Sequence, residues 1–260
     1  MSILSPNFNT EQAFAVKVCM GLAPGGWFVV WTAYQHQPVK LRAWMDVYLG
    51  TILGGIIGAR VVYILFNLEF FLNEPLNIPR LWFAELAWQG AIVGGLLAMR
   101  GMCRWRDVDF HDFGDGMALA IPVVFMAVCW SARSAGLILG AEVQNIDDLP
   151  VWSASFLPDL NRFVAPRYEV QMLGVGLGAV MLWYAGILTL FNRLSGLRLW
   201  IILGMMAIAI GIVDDYSSEA GAFVRGLRMN LVSAVILGVF SVMMAVRNAY
   251  AKHRVRYFTR

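Results

Sequence analysis

Apolar residues fill seven long stretches of this chain, separated by short polar or basic connections. About 20 predominantly apolar residues cross a bilayer as one helix. The pattern predicts spans at Val16–Tyr34, Val47–Phe66, Leu86–Cys103, Met117–Ala141, Val170–Phe191, Leu199–Val213 and Leu231–Val246. Small residues recur within them four apart: Gly50, Gly54 and Gly58, then Gly90 and Gly94, then Gly174 and Gly178. That spacing lets helices approach closely, so packing explains it. The run Gly174-Val-Gly-Leu-Gly178 has no strand before it, which excludes a glycine-rich phosphate loop. The expectation is an all-α polytopic membrane protein of about seven helices, with residues 1–260 forming one transmembrane domain.

Composition agrees. Hydrophobic residues make up 59% of the chain and charged residues 14%, and the mean hydropathy is +0.64, outside the range of soluble domains. Sidedness follows from the basic residues, which concentrate in cytoplasmic loops. With the C-terminus inside, twelve fall in inner loops: Lys40, Arg42, Arg100, Arg104, Arg106, Arg193, Arg198, Arg247, Lys252, Arg254, Arg256 and Arg260. Five fall in outer loops, namely Arg80, Arg162, Arg167, Arg225 and Arg228, while Lys17, Arg60 and Arg133 lie in or near spans. Seven spans then put the N-terminus outside. Met1–Gln12 lacks the basic start and apolar run of a cleaved signal, so the first span is expected to drive insertion.

The formal net charge of +3 is largely this inside-positive bias. Arg247–Arg260 directly follows a span, where a basic tail meets anionic lipid rather than nucleic acid. Cys19, Cys103 and Cys129 form no CxxC pair, and His36, His111 and His253 have no metal-binding spacing. Neither a disulfide framework, a metal nor a cofactor is expected. Trp27, Trp31, Trp82, Trp88, Trp152 and Trp200 read as interfacial anchors.

A polar set remains that packing leaves unexplained. Arg60 shares a helix face with Tyr63, three residues on. Glu85 and Gln89 lie four apart at the start of the third span. Arg133 stands in the outer half of the fourth, followed by Glu142. Arg167, Glu169 and Gln171 open the fifth, and Asp214 and Asp215 close the sixth. Ionised groups at membrane depth are rare and face a polar interior. By the topology above, these groups converge on the outer leaflet, whereas a pore distributes them through its depth. Two readings stand side by side: a charge cluster that holds helices in register, or a phospholipid headgroup site. Arginine's planar fork matches phosphate oxygens, so Arg60 and Arg133 suit a lipid phosphate whose acyl chains stay in the bilayer. A transporter would show internal repeats or broken helices, and neither is convincing here.

The order of these residues resembles the bacterial prolipoprotein diacylglyceryl transferases through most of the chain. Gly58-Ala-Arg-Val-Val-Tyr-Ile-Leu-Phe66, then Glu74-Pro-Leu76, Arg80-Leu-Trp82 and Trp88-Gln-Gly90, is similar to the family's G-G-R-x-G-Y-x-L-F, D-P-L, R-x-W and H-G-G segments. Asp112-Phe113 with Ile121-Pro122 resembles its D-x-x-A-P-x-I-P region. Ala132-Arg-Ser-Ala-Gly136 with Ile138-Leu-Gly-Ala-Glu142 resembles G-R-L-G-N-F-x-N-G-E, and Ala165-Pro-Arg-Tyr-Glu-Val-Gln171 resembles P-R-H-P-S-Q-L-Y-E.

The resemblance implies seven helices with an outer N-terminus in the bacterial inner membrane. It also implies a reaction on phosphatidylglycerol: a lipoprotein cysteine thiol attacks a glycerol carbon, and glycerol phosphate leaves. That chemistry needs a base for the thiol proton and cations for the departing phosphate. By resemblance Arg60 is the arginine of the G-G-R motif and Arg133 that of G-R-L-G-N, Gln171 is the glutamine of the fifth-span motif, and Asp215 falls near the acidic residue of the sixth. The expected phospholipid-binding set is therefore Arg60, Tyr63, Arg133, Glu142, Arg167 and Gln171, and the expected catalytic set Asp215, Glu85 and Gln89.

Four positions depart from the family. Gln89 replaces the histidine of H-G-G, Gly136 the asparagine of G-R-L-G-N, Gly211 the sixth-span arginine and Tyr168 the fifth-span histidine. An amide has no accessible protonation change. The expectation is a catalytically degenerate relative that retains a phospholipid groove and serves as a lipid-binding or structural subunit, with a protein partner in a larger membrane assembly. The alternative is an active transferase, with Arg225 or Arg228 supplying charge.

Overall fold

A computed structural model describes residues 8–78, 86–145, 150, 153–158, 164–218, 223–224 and 227–258. The chain folds as α1 (Phe8–His36), α2 (Leu41–Phe66), the short α3 (Leu68–Asn73), α4 (Trp88–Trp105) and α5 (Phe110–Ala135). A hairpin of β1 (Ala154–Pro158) and β2 (Val164–Tyr168) precedes α6 (Val170–Leu190) and α7 (Arg198–Tyr216). The two-residue strands β3 (Phe223–Val224) and β4 (Leu227–Arg228) lead into α8 (Met229–Phe258). Both hairpins are antiparallel and lie at helix ends that the basic-residue count assigns to the outer side.

The expectation of a polytopic helical membrane protein holds, with one difference. Among the described residues six helices are long and apolar enough to span a membrane, and α4, the third predicted span, is not one of them. It has only 18 residues and carries Arg100 and Arg104 in its last two turns. A companion helix keeps it in place. Gly58 of α2 meets Gly90 and Gly94 of α4 backbone to backbone, so that a Cβ on Gly58 would lie 2.8 Å from the Gly94 Cα. The Ala87 amide donates to the Ala59 carbonyl at 3.2 Å across the same crossing. Lipid tails are as apolar as the side chains they replace, so close contact rather than water exclusion holds such helices together.

The fourth span is also shifted. Asp109 caps α5 by accepting from the amides of His111 at 2.8 Å and Asp112 at 3.0 Å, which starts the helix seven residues before the predicted span. Gly136, at φ 66°, ends it in the left-handed conformation, with its amide on the Ala132 carbonyl, a glycine helix stop. Residues 137–142 leave the helix with a bend at Ile138, at φ 56°, after which Gly140 bridges Ser217 and Glu142 bridges Arg167.

The best-packed core lies toward the inner ends. Val29, Trp44, Val47, Phe113 and Met99 are almost wholly buried there with Leu199 and Trp200. Beneath them Arg198 and Asp115, each about 2% exposed, form an ion pair at 3.6 Å. The Gly196 amide donates to both Asp115 oxygens, while Arg198 donates to the Arg193 carbonyl and the Asn192 side chain. Leu49, Leu53, Ile57, Val61 and Leu65, four apart on α2, are exposed together and form a lipid-facing stripe.

Candidate phospholipid site

Arg133 occupies the last turn of α5, and Glu169 immediately precedes the first residue of α6. Arg133 Nε and Nη2 grip the Glu169 carboxylate at 2.9 and 2.8 Å, and the Ser155 hydroxyl of β1 donates to the same carboxylate. Each charge suits its helix end, cation at a C-terminus and anion at an N-terminus. The Arg133 hydrogen bonds hold the Glu169 carboxyl below its usual range; burial opposes the shift and the Ser155 bond adds to it. The pair is asymmetric, with the arginine side chain 44% exposed and the glutamate 7%. Among the described residues Arg133 Nη1 makes no hydrogen bond.

A second pair lies beside it. Arg167, in β2, donates from Nη2 to Glu142 at 2.6 Å and from Nη1 to the Ser218 hydroxyl at 3.5 Å. Its buried Nε has no partner among the described residues. Gln171, 1% exposed, donates to the Leu137 carbonyl at 3.0 Å, and its buried Oε1 has no partner among the described residues. This amide holds the chain that follows the Gly136 helix stop.

Arg60 is 5% exposed. Its Nη2 donates to the Asn77 carbonyl at 2.7 Å and its Nε to the Ile78 carbonyl at 3.3 Å, while Phe71 and Tyr63 lie 5.1 and 5.7 Å from its guanidinium carbon. Arg60 and Arg133 thus have different partners.

Of the expected catalytic residues, Glu85 lies outside the described residues. Asp215 is exposed at the end of α7, and its neighbour Asp214 faces the interior. The Asn230 side chain, on α8, donates to Asp214 Oδ1 at 2.9 Å and accepts from Gln89 and from the Trp88 indole, both at 3.2 Å. Asp214 Oδ2 is buried and has no partner among the described residues, and Arg228 donates to the Asp214 backbone carbonyl at 3.0 Å. Three helices thus meet in one polar chain: Gln89 on α4, Asn230 on α8, Asp214 on α7. Asn230 escaped the sequence reading because an asparagine carries no charge to flag it, although it opens the last span. Glu169 was noted in that reading but not assigned, and its place between Arg167 and Gln171 was the available signal. A cavity of about 240 Å³ lies at the inner ends, lined by Thr32, His36, Asn192 and Arg198.

The sequence profile of the prolipoprotein diacylglyceryl transferases matches residues 8–247. This chain belongs to that family. Among its relatives is the phosphatidylglycerol–prolipoprotein diacylglyceryl transferase of Rhodospirillum rubrum, 28% identical over 247 residues covering 90% of this chain and 85% of the relative. The enzyme of the same name from Brucella anthropi is 27% identical over 229 residues, covering 84% and 79%. That from Thermoanaerobacter sp. (strain X514) is 22% identical over 207 residues, covering 78% and 72%. Within this family frame, the residues expected at the site fall into separate groups at the outer helix ends: Arg133 with Glu169, Arg167 with Glu142, Arg60 beside Tyr63, and Gln89 linked to Asp214.

Proposed function

We propose that this family member holds a phospholipid by its headgroup at the outer ends of its helices and does not transfer the diacylglyceryl group. It serves as a lipid-binding or structural subunit, with a protein partner, in the bacterial cytoplasmic membrane, and residues 1–260 act as one transmembrane domain. The observation that carries this reading is Gln89, which stands where the family motif has histidine and donates to a second amide, Asn230. Neither amide takes a proton from a thiol near neutral pH. Gly211, at the family's arginine position, removes a cation that would stabilise a departing phosphate. Arg133 is the group assigned to the lipid phosphate, since Glu169 takes Nε and Nη2 and the other edge of the fork is open to phosphate oxygens. Arg60, Tyr63, Glu142, Arg167 and Gln171 shape the surrounding groove.

The test is transfer from labelled phosphatidylglycerol to a lipobox peptide by purified protein, beside an active relative. No product is expected. Turnover that Arg133→Ala abolishes would overturn the reading. One observation favours the alternative of an active transferase, namely the Oδ2 of Asp214, buried without a partner among the described residues and joined through Asn230 to Gln89. On that reading Asp214 accepts the thiol proton, and Asp214→Asn abolishes turnover.

A further inference from the structure

We infer that Lys17 is the second cation of the phosphate site and makes it selective for phospholipids of net negative charge. This rests on the reading that Arg133 meets a lipid phosphate, and adds to it a residue and a charge class. Lys17 is the fourth residue of the first candidate span, Phe14–His36. Its ammonium donates to the hydroxyl of Ser134, the residue next to Arg133, so α1 delivers a positive charge to the same end of α5. Among the described residues no carboxylate lies within ion-pair distance of it. The contact is exposed, so the ammonium is turned onto a side chain of the neighbouring helix and keeps its other N–H bonds open to a second partner. Ser134 is exposed and accepts from Lys17, so its own hydroxyl hydrogen remains available to a phosphate oxygen.

Charge balance gives the ligand class. Arg133 and Glu169 cancel, and Lys17 leaves one positive charge uncompensated at the edge of the hydrocarbon, where ions need a counter-charge. A phosphodiester carries one negative charge and neutralises it. A zwitterionic headgroup brings an extra ammonium to a place where the nearby Glu169 carboxylate is already held by Arg133 and Ser155.

The test uses the full chain in nanodiscs of equimolar phosphatidylglycerol and phosphatidylethanolamine, with lipids retained after detergent extraction counted by native mass spectrometry. The wild type is expected to retain phosphatidylglycerol preferentially. Lys17→Gln should lower that preference about tenfold, the scale of one charge-assisted hydrogen bond, and Lys17→Arg should restore it. An unchanged preference in Lys17→Gln, with lipid lost from Arg133→Gln, overturns the role of Lys17 and leaves the phosphate reading standing. Full lipid retention by Arg133→Gln overturns the phosphate reading and this inference with it. Displacement of the lipid by millimolar inorganic phosphate would assign the site to free phosphate instead. If Lys17→Gln fails to fold, Ser134→Ala, which removes the shared hydroxyl, is expected to lower the preference in the same direction, and an unchanged ratio there overturns the inference.

Discussion

The inner and outer ends of this bundle both bury charge, and they do so in opposite ways. At the inner ends Asp115 and Arg198 are each about 2% exposed, with Arg198 lining the inner cavity, and backbone or side-chain partners take up both carboxylate oxygens and most of the guanidinium. At the outer ends Arg133 is half open while its glutamate is buried, and among the described residues Arg167 Nε, Gln171 Oε1 and Asp214 Oδ2 lack partners. A closed, satisfied ion pair fixes helix positions. An open pair with unmatched atoms nearby fixes helices and still leaves capacity for a ligand.

The comparison breaks first at the inner pair. Asp115→Ala strands the Arg198 charge in the core and should lower stability by about 3–5 kcal/mol, the usual penalty for removing one partner of a buried pair; thermal unfolding in detergent measures it. The α2–α4 crossing comes next. Gly58→Ala should lower stability by about 1–3 kcal/mol, as overpacking does, and loosen Arg60 and Gln89 together, which cysteine cross-linking across the crossing would detect.

Glu169→Gln should have a smaller effect on stability, because half-exposed Arg133 remains solvated, yet it should alter lipid retention more than Asp115→Ala does. It also has a pH signature. The Glu169 carboxyl is depressed in the fold, so its stabilising contribution is complete above the unfolded value of about 4.3 and is lost as pH falls through the lower folded value. Acid unfolding of the wild type should carry this component, and Glu169→Gln should lack it. The smallest effect is expected at the exposed inner-loop pair of Lys40 and Asp107, 2.7 Å apart. There the lysine hydrogen bond lowers the Asp107 carboxyl, but water and salt screen the contact, and Asp107→Asn should leave the unfolding temperature unchanged.

Much of this architecture was legible because the bilayer imposes long apolar helices and glycine stripes that survive in the one-dimensional pattern. Gly54, Gly58, Gly90 and Gly94 mark close helix approach in the sequence, and the structure shows that α2 and α4 are the helices that meet. Arg60, Arg133 and Arg167 stand out in the sequence because charge in or beside a span is rare, yet the structure gives each its own partners. Pairing was not legible. Arg198 read as one more inner-loop cation, and only folding brings it onto Asp115, 83 positions earlier. Asn230 is uncharged, and Asp215 masked the role of Asp214 because adjacent helix positions differ in direction by about 100°. The fourth span was drawn past Gly136 because apolar residues continue beyond it; a left-handed glycine ends a helix without ending hydrophobicity.

The glycine crossing separates geometry from reactivity. Gly58 and Gly90 meet through backbone, and Ala87 is tied to Ala59 by a main-chain hydrogen bond, so the heights of Arg60 and Gln89 along the bundle are set without either side chain. The side chain at position 89 is therefore exchangeable cargo on a fixed mount. A substitution at position 89 can change its proton-accepting capacity with the frame left standing, and Gln89→His is the shortest route to ask whether the mount accepts an imidazole.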